Sequence, residues 1–361
     1  METPDNVIPI RTPLRIGALQ LDNPFVVAPM AGVSDLPFRL LCRREGAALV
    51  YTEMISARGL LRNGERTHRM LSSLPAERPL GVQLFGTDPD ELGEAAHFLE
   101  QEGMADLVDV NMGCPVKKVV KTGAGAALTA DPQKVGAIVA GIRRRTGLPV
   151  TIKVRAGWNA GTINAPEVAR VAESEGADAL ALHPRTREQG YDGWADWDLI
   201  LRTQEAVNIP IIGSGDVVTP EQAMARSAEH PRGFVMIGRG ACGRPWIFRQ
   251  IAALYRGEPA LEVPPAERLA LLREHFELYL ELHGEYRAVR DFRKHLIWYG
   301  RGMRHARELR PAIAQLLEAD QVRDMIEQYG ERWHNILPSE PRVMQAEDSE
   351  EQAYWENRGW G

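Results

Sequence analysis

Cysteine, aromatic residues and long apolar runs are all scarce in this chain. Only three cysteines, Cys42, Cys114 and Cys242, occur among 361 residues. None belongs to a CxxC or a Cys/His cluster, which argues against a structural metal site, and three thiols make a poor disulfide framework. No run approaches the ~18 consecutive apolar residues of a membrane span. The first residues, METPDNVIPIRTPLRIG, lack the basic start and apolar core of a secretory signal, so a cytoplasmic protein is expected. The turn after the first strand-like run reads Ala28-Pro29-Met30-Ala31-Gly32 and is no GxGxxG, which counts against a doubly wound dinucleotide fold.

What is present is a repeated alternation. Apolar strand-like runs fall at 24–30, 47–54, 79–86, 105–112, 149–154, 177–184, 209–216 and 233–240. Each is nearly continuous in apolar residues, as a parallel strand covered on both faces should be. Helical patterns separate them, and those at 89–103, 131–147 and 165–176 each stop at a glycine. Eight such units predict a (β/α)8 TIM barrel over residues 1–255, with LRIGALQLDNP as a small hairpin able to plug its floor. After Pro264-Pro265 the pattern is helical throughout, and a small all-helical domain is expected over 262–335. Val289, Phe292, Leu296 and Tyr299 share one face of a predicted helix there. Residues 337–361 are expected to be an acidic, poorly ordered tail.

In a barrel, chemistry collects at the C-terminal strand ends. Those ends supply Pro29, Met30 and Ala31; Glu53; Gln83; Asn111 with Cys114; Lys153 with Arg155; His183 with Arg185; Ser214, Gly215 and Asp216; and Gly238 with Arg239. There is no close pair of acids for glycoside hydrolysis and no Asp/Glu/His density for metal-dependent hydrolysis. The glycines of the last two units, with Arg239, suit a phosphate grip of backbone N–H groups, helped by a following helix start; tight turns packed on helices are the alternative. Lys153 could meet an anionic ring edge, form a Schiff base, or pair with Glu53 or Asp109. His183 could bind a ring or simply be a satisfied core histidine. Cys114, with Lys117, Lys118 and Lys121 close in sequence, is the one cysteine with reactive-looking surroundings. It could act as nucleophile or as general acid; the lysines should favour thiolate, which opposes proton donation. Cys42 reads as core, and Cys242 as a small residue near packed backbone.

The chain's formal net charge is −6, but its distribution is uneven. Residues 287–310 hold eight basic residues against two acidic ones, and Arg287, Arg290, Lys294 and Arg301 are predicted to share one helical face. Such a patch is the footprint of a polyanion partner.

The motifs APMAGVSDLPFR (28–39), TEM (52–54), QLFG (83–86), NMGCPVKKV (111–119), GAGAAL (123–128), TIKVRAGW (151–158), HPRTREQGY (183–191), GSGDV (213–217) and IGRGACGRPWIF (237–248) together resemble the tRNA-dihydrouridine synthase family, close to its bacterial B-type branch. RKHLIWYGRGM and ARELR resemble its RNA-binding helical domain. The resemblance covers about residues 12–335 and implies an FMN-dependent reduction of the C5=C6 bond of tRNA uridines, driven by NADPH or NADH. It implies that Pro29, Met30 and Ala31 line the flavin, that Gln83 and Lys153 bond its pyrimidine edge, and that His183 lies toward its phosphate side. Ser214, Gly215, Asp216, Gly238 and Arg239 would hold the ribityl phosphate region. Asn111 would help position flavin and uracil, Arg185 would meet a uracil or flavin edge, and Cys114 would be the proton donor. Arg287, Arg290, Lys294 and Arg301 would contact tRNA. No metal, no membrane and no obligate protein partner are implied, and the protein would act as a monomer. Two departures concern flavin affinity: Ser214 stands where the family usually has Asn, and Pro184 where it usually has Gly. A small-molecule FMN barrel reductase shares the phosphate grip but leaves the basic helical appendix unexplained; a noncatalytic RNA-binding module leaves Cys114 and Lys153 unexplained.

Overall fold

The computed structural model describes residues 14–62, 64–303 and 306–333. The expected tail lies outside the described residues. A hairpin comes first, β1 (Leu14–Ile16) and β2 (Leu19–Leu21), turning at Gly17 with φ +56°. Then follow β3 (Phe25–Val27), β4 (Val50–Tyr51), β5 (Ile55–Ser56), β6 (Leu80–Phe85), β7 (Leu107–Met112), β8 (Val150–Arg155), β9 (Ala179–His183), β10 (Ile211–Ser214) and β11 (Phe234–Ile237). These nine are parallel, in the order β3-β11-β10-β9-β8-β7-β6-β4, with β5 also on β6. A parallel bridge from Val26 to Leu49 joins the two ends, so the eight-unit sheet closes on itself as a barrel.

Each predicted apolar run contains a strand. The second run, 47–54, holds only β4; the chain rejoins β6 as β5 just beyond the run. The Thr52 hydroxyl then accepts from Gln83 N at 3.1 Å, a side chain replacing part of the ladder. Helices lie between successive strands, several capped by the expected chemistry: Asp88 and Asp131 each accept from two backbone N–H groups at helix starts.

Strand side chains alternate between two faces, and that alternation sorts the core. Val82, Val108, Val110, Ile152, Val154, Leu180 and Leu182 face the outer helices in one apolar cluster. Val26, Tyr51, Leu107, Ala179, Ala181, Ile212, Phe234 and Met236 fill the barrel, joined by Ile16 and Leu21 of the hairpin. The hairpin therefore closes the floor, where its Gly17 turn approaches Asp178 just before β9.

The C-terminal helices are Pro265–His283, Glu285–Tyr299, Ala306–Ala314 and Ala319–Trp333. Their own core takes in Val289, Phe292, Leu296 and Tyr299, each at most 2% exposed, and reaches Leu41 and Trp246 of the barrel. A close approach fixes the junction. A Cβ on Gly243 would lie 2.3 Å from the backbone carbon of Trp298, so only glycine fits there.

Candidate active site at the barrel mouth

The inward parity that is apolar at the floor turns polar toward the strand C-termini. Gln83, Asp109, Asn111, Thr151, Lys153, Arg155, His183 and Ser214 are all inward positions near that end, at spacings of two within each strand. Four are linked in a chain. Asp109 accepts from Thr151 Oγ1 at 2.6 Å and from Gln83 Nε2 at 2.7 Å. Gln83 Oε1 accepts from Asn111 Nδ2 at 2.9 Å. Asn111 Oδ1 accepts from the backbone N–H of Cys114 at 2.9 Å and of Gly113 at 3.3 Å. The amide of Asn111 is thus occupied within the protein, while Gln83 keeps one N–H and one lone pair.

Cys114 is the only one of the three free cysteines that is not fully buried. Its turn is braced from behind. Ala126 N donates to Cys114 O at 3.0 Å, and Gly125, at φ +61°, packs so closely that a Cβ would lie 2.7 Å from that oxygen. Lys117 and Lys118 are exposed on the short helix Lys117–Val120, and Lys121 is exposed just after it. Burial pushes the thiol up from its ordinary pKa; a hydrogen bond from the Val116 backbone and the charges of Arg155 and Lys153 offset this only in part. The expected thiolate-favouring effect of the neighbouring lysines is therefore corrected: those residues are exposed to solvent, burial of the thiol dominates, and it stays protonated near neutral pH.

Lys153 is the register partner of Asn111 on the adjoining strand, so ammonium and thiol sit at the same end of the barrel. The residue is half-buried, and desolvation and the neighbouring Arg155 push it down to about 8 against the pull of Asp109. Asp109 is pushed up to about 6 by burial, against its bonds to Thr151 and Gln83 and the charge of Lys153. Of the two carboxylates considered as partners for Lys153, Asp109 is the one acting on it; Glu53 instead accepts from Gly32 N–H. Glu53 is raised by burial, with Lys294 and Arg39 opposing. His183 is held well below its ordinary value by burial and by four nearby cations, so its ring is neutral.

The last loops are arranged around an ion pair. Arg185 is 2% exposed and grips Asp216 through two bonds of 2.9 and 2.8 Å. Asp216 adopts φ +55°, uncommon for a residue with a side chain. Arg185 is thus engaged within the protein by Asp216 and by the carbonyls of Asp192 and Gly193. Arg239 lies 3.6 Å from Asp216 and over the Tyr191 ring at 4.5 Å. Gly215, at φ +133°, leaves no room for a side chain, since a Cβ would sit 2.7 Å from Ala195 Cβ. Among the described residues, no acceptor pairs with the backbone N–H of Gly215 or Asp216. After Gly238 comes only a three-residue 3-10 turn, Arg239–Ala241, so the expected helix dipole behind that loop is absent there; the full helix starts at Ile247. Pro29, Met30 and Ala31 follow β3 at the mouth, and Met30 Sδ would be 3.4 Å from a Cβ on Gly238.

The predicted basic face does not form one surface. Lys294 is 9% exposed and its charge acts on Asp35 and Glu53 of the barrel. Arg301 donates to the carbonyls of Arg239 and Cys242 at 3.3 and 3.4 Å. Lys294 on the helix Glu285–Tyr299 and Arg301 just past its end are both engaged with the barrel. Arg287 is exposed and pairs with Asp291 at 3.1 Å, and Arg290 lies over the Tyr286 ring at 3.7 Å.

Thr151, Tyr191 and Gly125 belong to the site without having been singled out from the sequence, and Asp109, considered there only as a partner for Lys153, also orients Gln83 and Thr151. Strand parity could have found Asp109 and Thr151, because Asp109 precedes Asn111 by two and Thr151 precedes Lys153 by two. No described helix is long and apolar enough to cross a membrane, and no described cluster of His, Cys, Asp or Glu could hold a metal ion.

A closed barrel with a polar, cationic mouth and a single protonated thiol defines the class: a (β/α)8-barrel enzyme. Among solved structures the chain is similar to histamine dehydrogenase from Rhizobium sp. 4-9 (TM-score 0.53, 16% identity, 68% of this chain and 48% of that one). It is also similar to 2-naphthoyl-CoA reductase (TM-score 0.52, 14% identity, 68% and 52%). At such identities the likeness shows the fold alone. The Dihydrouridine synthase (Dus) family profile matches residues 26–332, and the chain belongs to this family. It is 40% identical to the tRNA-dihydrouridine synthase B of Pseudomonas aeruginosa over 325 residues, 89% of this chain and 97% of that one. It is also 40% identical to a probable tRNA-dihydrouridine synthase of Mycobacterium tuberculosis over 321 residues, 86% and 82%.

Proposed function

We propose that this protein reduces the C5=C6 bond of uridine in tRNA, with bound FMN, NADPH or NADH as reductant, and Cys114 as proton donor. The observation that carries it is the protonated thiol of Cys114, held by Asn111 on the strand next to Lys153.

The residues present fit a flavin. Gln83 offers one donor and one acceptor toward a pyrimidine edge, and Lys153 offers a cation beside them. The open N–H groups of Gly215 and Asp216, with Arg239, suit a phosphate. Ser214, His183, Gly238 and the 29–31 turn complete the walls. When bound, FMN would deliver hydride to uridine C6 after reduction by the nicotinamide cofactor.

The rest is the work of this chain. Negative charge develops toward C5 and O4 of the uracil as C6 is reduced. The Cys114 thiol gives its proton to C5, which completes dihydrouridine. The thiolate left behind sits in the fields of Arg155 and Lys153 and accepts from the Val116 N–H until solvent returns a proton. Asn111 holds the turn, and Arg185 with Asp216 holds the neighbouring loop; both are positioning residues. The base must leave its stack to reach a barrel mouth. Arg287 and Arg290 on the helical domain meet backbone phosphates, and one copy of the chain serves one tRNA.

Incubating purified protein, FMN and NADPH with unmodified tRNA and mapping dihydrouridine tests the reading. Appearance of the modified base at defined uridines supports it; flavin reduction with no dihydrouridine in any tRNA contradicts it.

A further inference from the structure

The most exposed aromatic side chain at the barrel mouth is held on one of its most firmly tied loops. Trp194 is 71% exposed. Its neighbours are bound to the buried Arg185–Asp216 pair. Arg185 Nε donates to Asp192 O at 3.2 Å, Arg185 Nη2 to Gly193 O at 2.5 Å, and Ala195 N to Asp216 Oδ2 at 2.7 Å. Two residues on, Trp197 Nε1 donates to Gly215 O at 3.0 Å. The backbone is thus fixed on both sides of an indole that lies mostly in solvent. Three residues earlier, Tyr191 packs under Arg239 and Arg155 at the mouth itself. The adjoining loop after β8 is zipped to this one by Arg187 N to Gly157 O at 2.9 Å and Glu188 N to Trp158 O at 3.0 Å, and its Trp158 ring lies under Arg187 at 4.7 Å.

A rigid, solvent-facing aromatic loses little entropy when it is covered. Its flat face suits an unstacked nucleobase, and base–aromatic stacking is sequence-tolerant because every base has a π-face. Resting on the reading that tRNA is the substrate, we propose that Trp194 is a stacking platform for a tRNA base next to the uridine that enters the barrel. An entering uridine must part from its neighbours, and a platform at the rim would hold one of them in the parted state. The Arg185–Asp216 pair is then the brace of an RNA contact.

The test is a binding titration of unmodified tRNA with the full chain carrying FMN, comparing parent, Trp194→Ala and Trp194→Phe at low and high salt. Alanine should weaken binding about 5- to 100-fold, the range expected for one lost base stack. Phenylalanine should recover most of it. The salt slope should be that of the parent, because an indole neutralises no phosphate. Since the side chain is exposed, the unfolding midpoint should stay within a degree or two of the parent. Affinity of the alanine variant within twofold of the parent would overturn the proposal. So would a loss confined to NADPH affinity, or a parent dimer that the alanine variant abolishes, since each gives the indole another occupant. If the parent neither binds nor reduces tRNA, the underlying functional reading has failed, a result distinct from a competent parent with a silent variant.

Discussion

Asn111 Oδ1 lies 2.9 Å from the backbone nitrogen of Cys114, so the residue three positions before the thiol fixes the turn that carries it. Asn111 is itself oriented, because its other amide end donates to Gln83, and Gln83 donates to Asp109. A carboxylate cannot donate, so Asp109 forces Gln83 to present Nε2 to it and Oε1 to Asn111. The orientation of two amides, and through them the place of the thiol, follows from one buried acid.

Replacing that acid by an apolar residue of similar size removes the direction. Asp109→Leu should slow dihydrouridine formation about 10- to 100-fold, the equivalent of about 1–3 kcal/mol for orphaned buried groups. Asp109→Asn should retain most of the rate at neutral pH, because the Thr151 hydroxyl can accept from the new amide while its oxygen still faces Gln83. Single-turnover rates at saturating tRNA check this. Equal rates for the leucine variant and the parent would show that the chain does not position the thiol.

The charge of Asp109 should appear in the pH profile. Lys153 is pushed down to about 8, so its ammonium is present below that value and lost above it. The raised thiol is protonated across the same range. Uridine reduction should therefore fall as pH rises through about 8. Lys153→Arg should move that limb upward. Asp109→Asn should move it downward, since the carboxylate holds the proton on Lys153. A profile that is the same in all three proteins would assign the limb to another group.

Gly125 supplies a comparison of two glycines. Gly125 and Gly123 both have left-handed backbone, at φ +61° and +81°, but a Cβ at 125 meets Cys114 O at 2.7 Å, whereas one at 123 meets only Thr87 at 3.7 Å. Alanine at either should cost about 1 kcal/mol of stability through the backbone. Only Gly125→Ala should also cost about tenfold or more in dihydrouridine rate, because the turn of Cys114 must shift. Urea unfolding together with single-turnover rates separates the two effects.

On the C-terminal helix Glu285–Tyr299, a cation not engaged at the junction with the barrel is expected to meet RNA. Arg290→Ala should weaken tRNA binding and lower the salt slope by about one, the signature of one lost phosphate contact. Lys294→Ala should leave that slope alone and destabilise the fold, because the ammonium faces Asp35 and Glu53 across the junction. Filter binding against salt, with thermal unfolding of both variants, distinguishes them.

The barrel was legible because each strand covered on both faces leaves an unbroken apolar run, and eight such runs with helices between them admit few architectures. The thiol was legible because NMGCP puts one small reactive group at a strand end. Its protonation state was not: sequence places Lys117, Lys118 and Lys121 beside Cys114, and only the fold shows that they are exposed to solvent while burial of the thiol dominates. Lys294 illustrates the same limit. Helical spacing put it on a basic face, but which face docks against the barrel depends on Gly243 and Trp298, some fifty residues apart in the chain. Asp109 lay in view as part of an apolar run, and its partners Thr151 and Gln83 come from two other strands.

The central claim is that the Cys114 thiol is the acid that completes reduction of the uracil. The most direct measurement is single-turnover reduction of tRNA by Cys114→Ala carrying FMN, with NADPH oxidation followed in parallel. The account predicts a bound yellow flavin, NADPH oxidation like that of the parent, and loss of most dihydrouridine product. Dihydrouridine formed at the parent's rate and yield would contradict it.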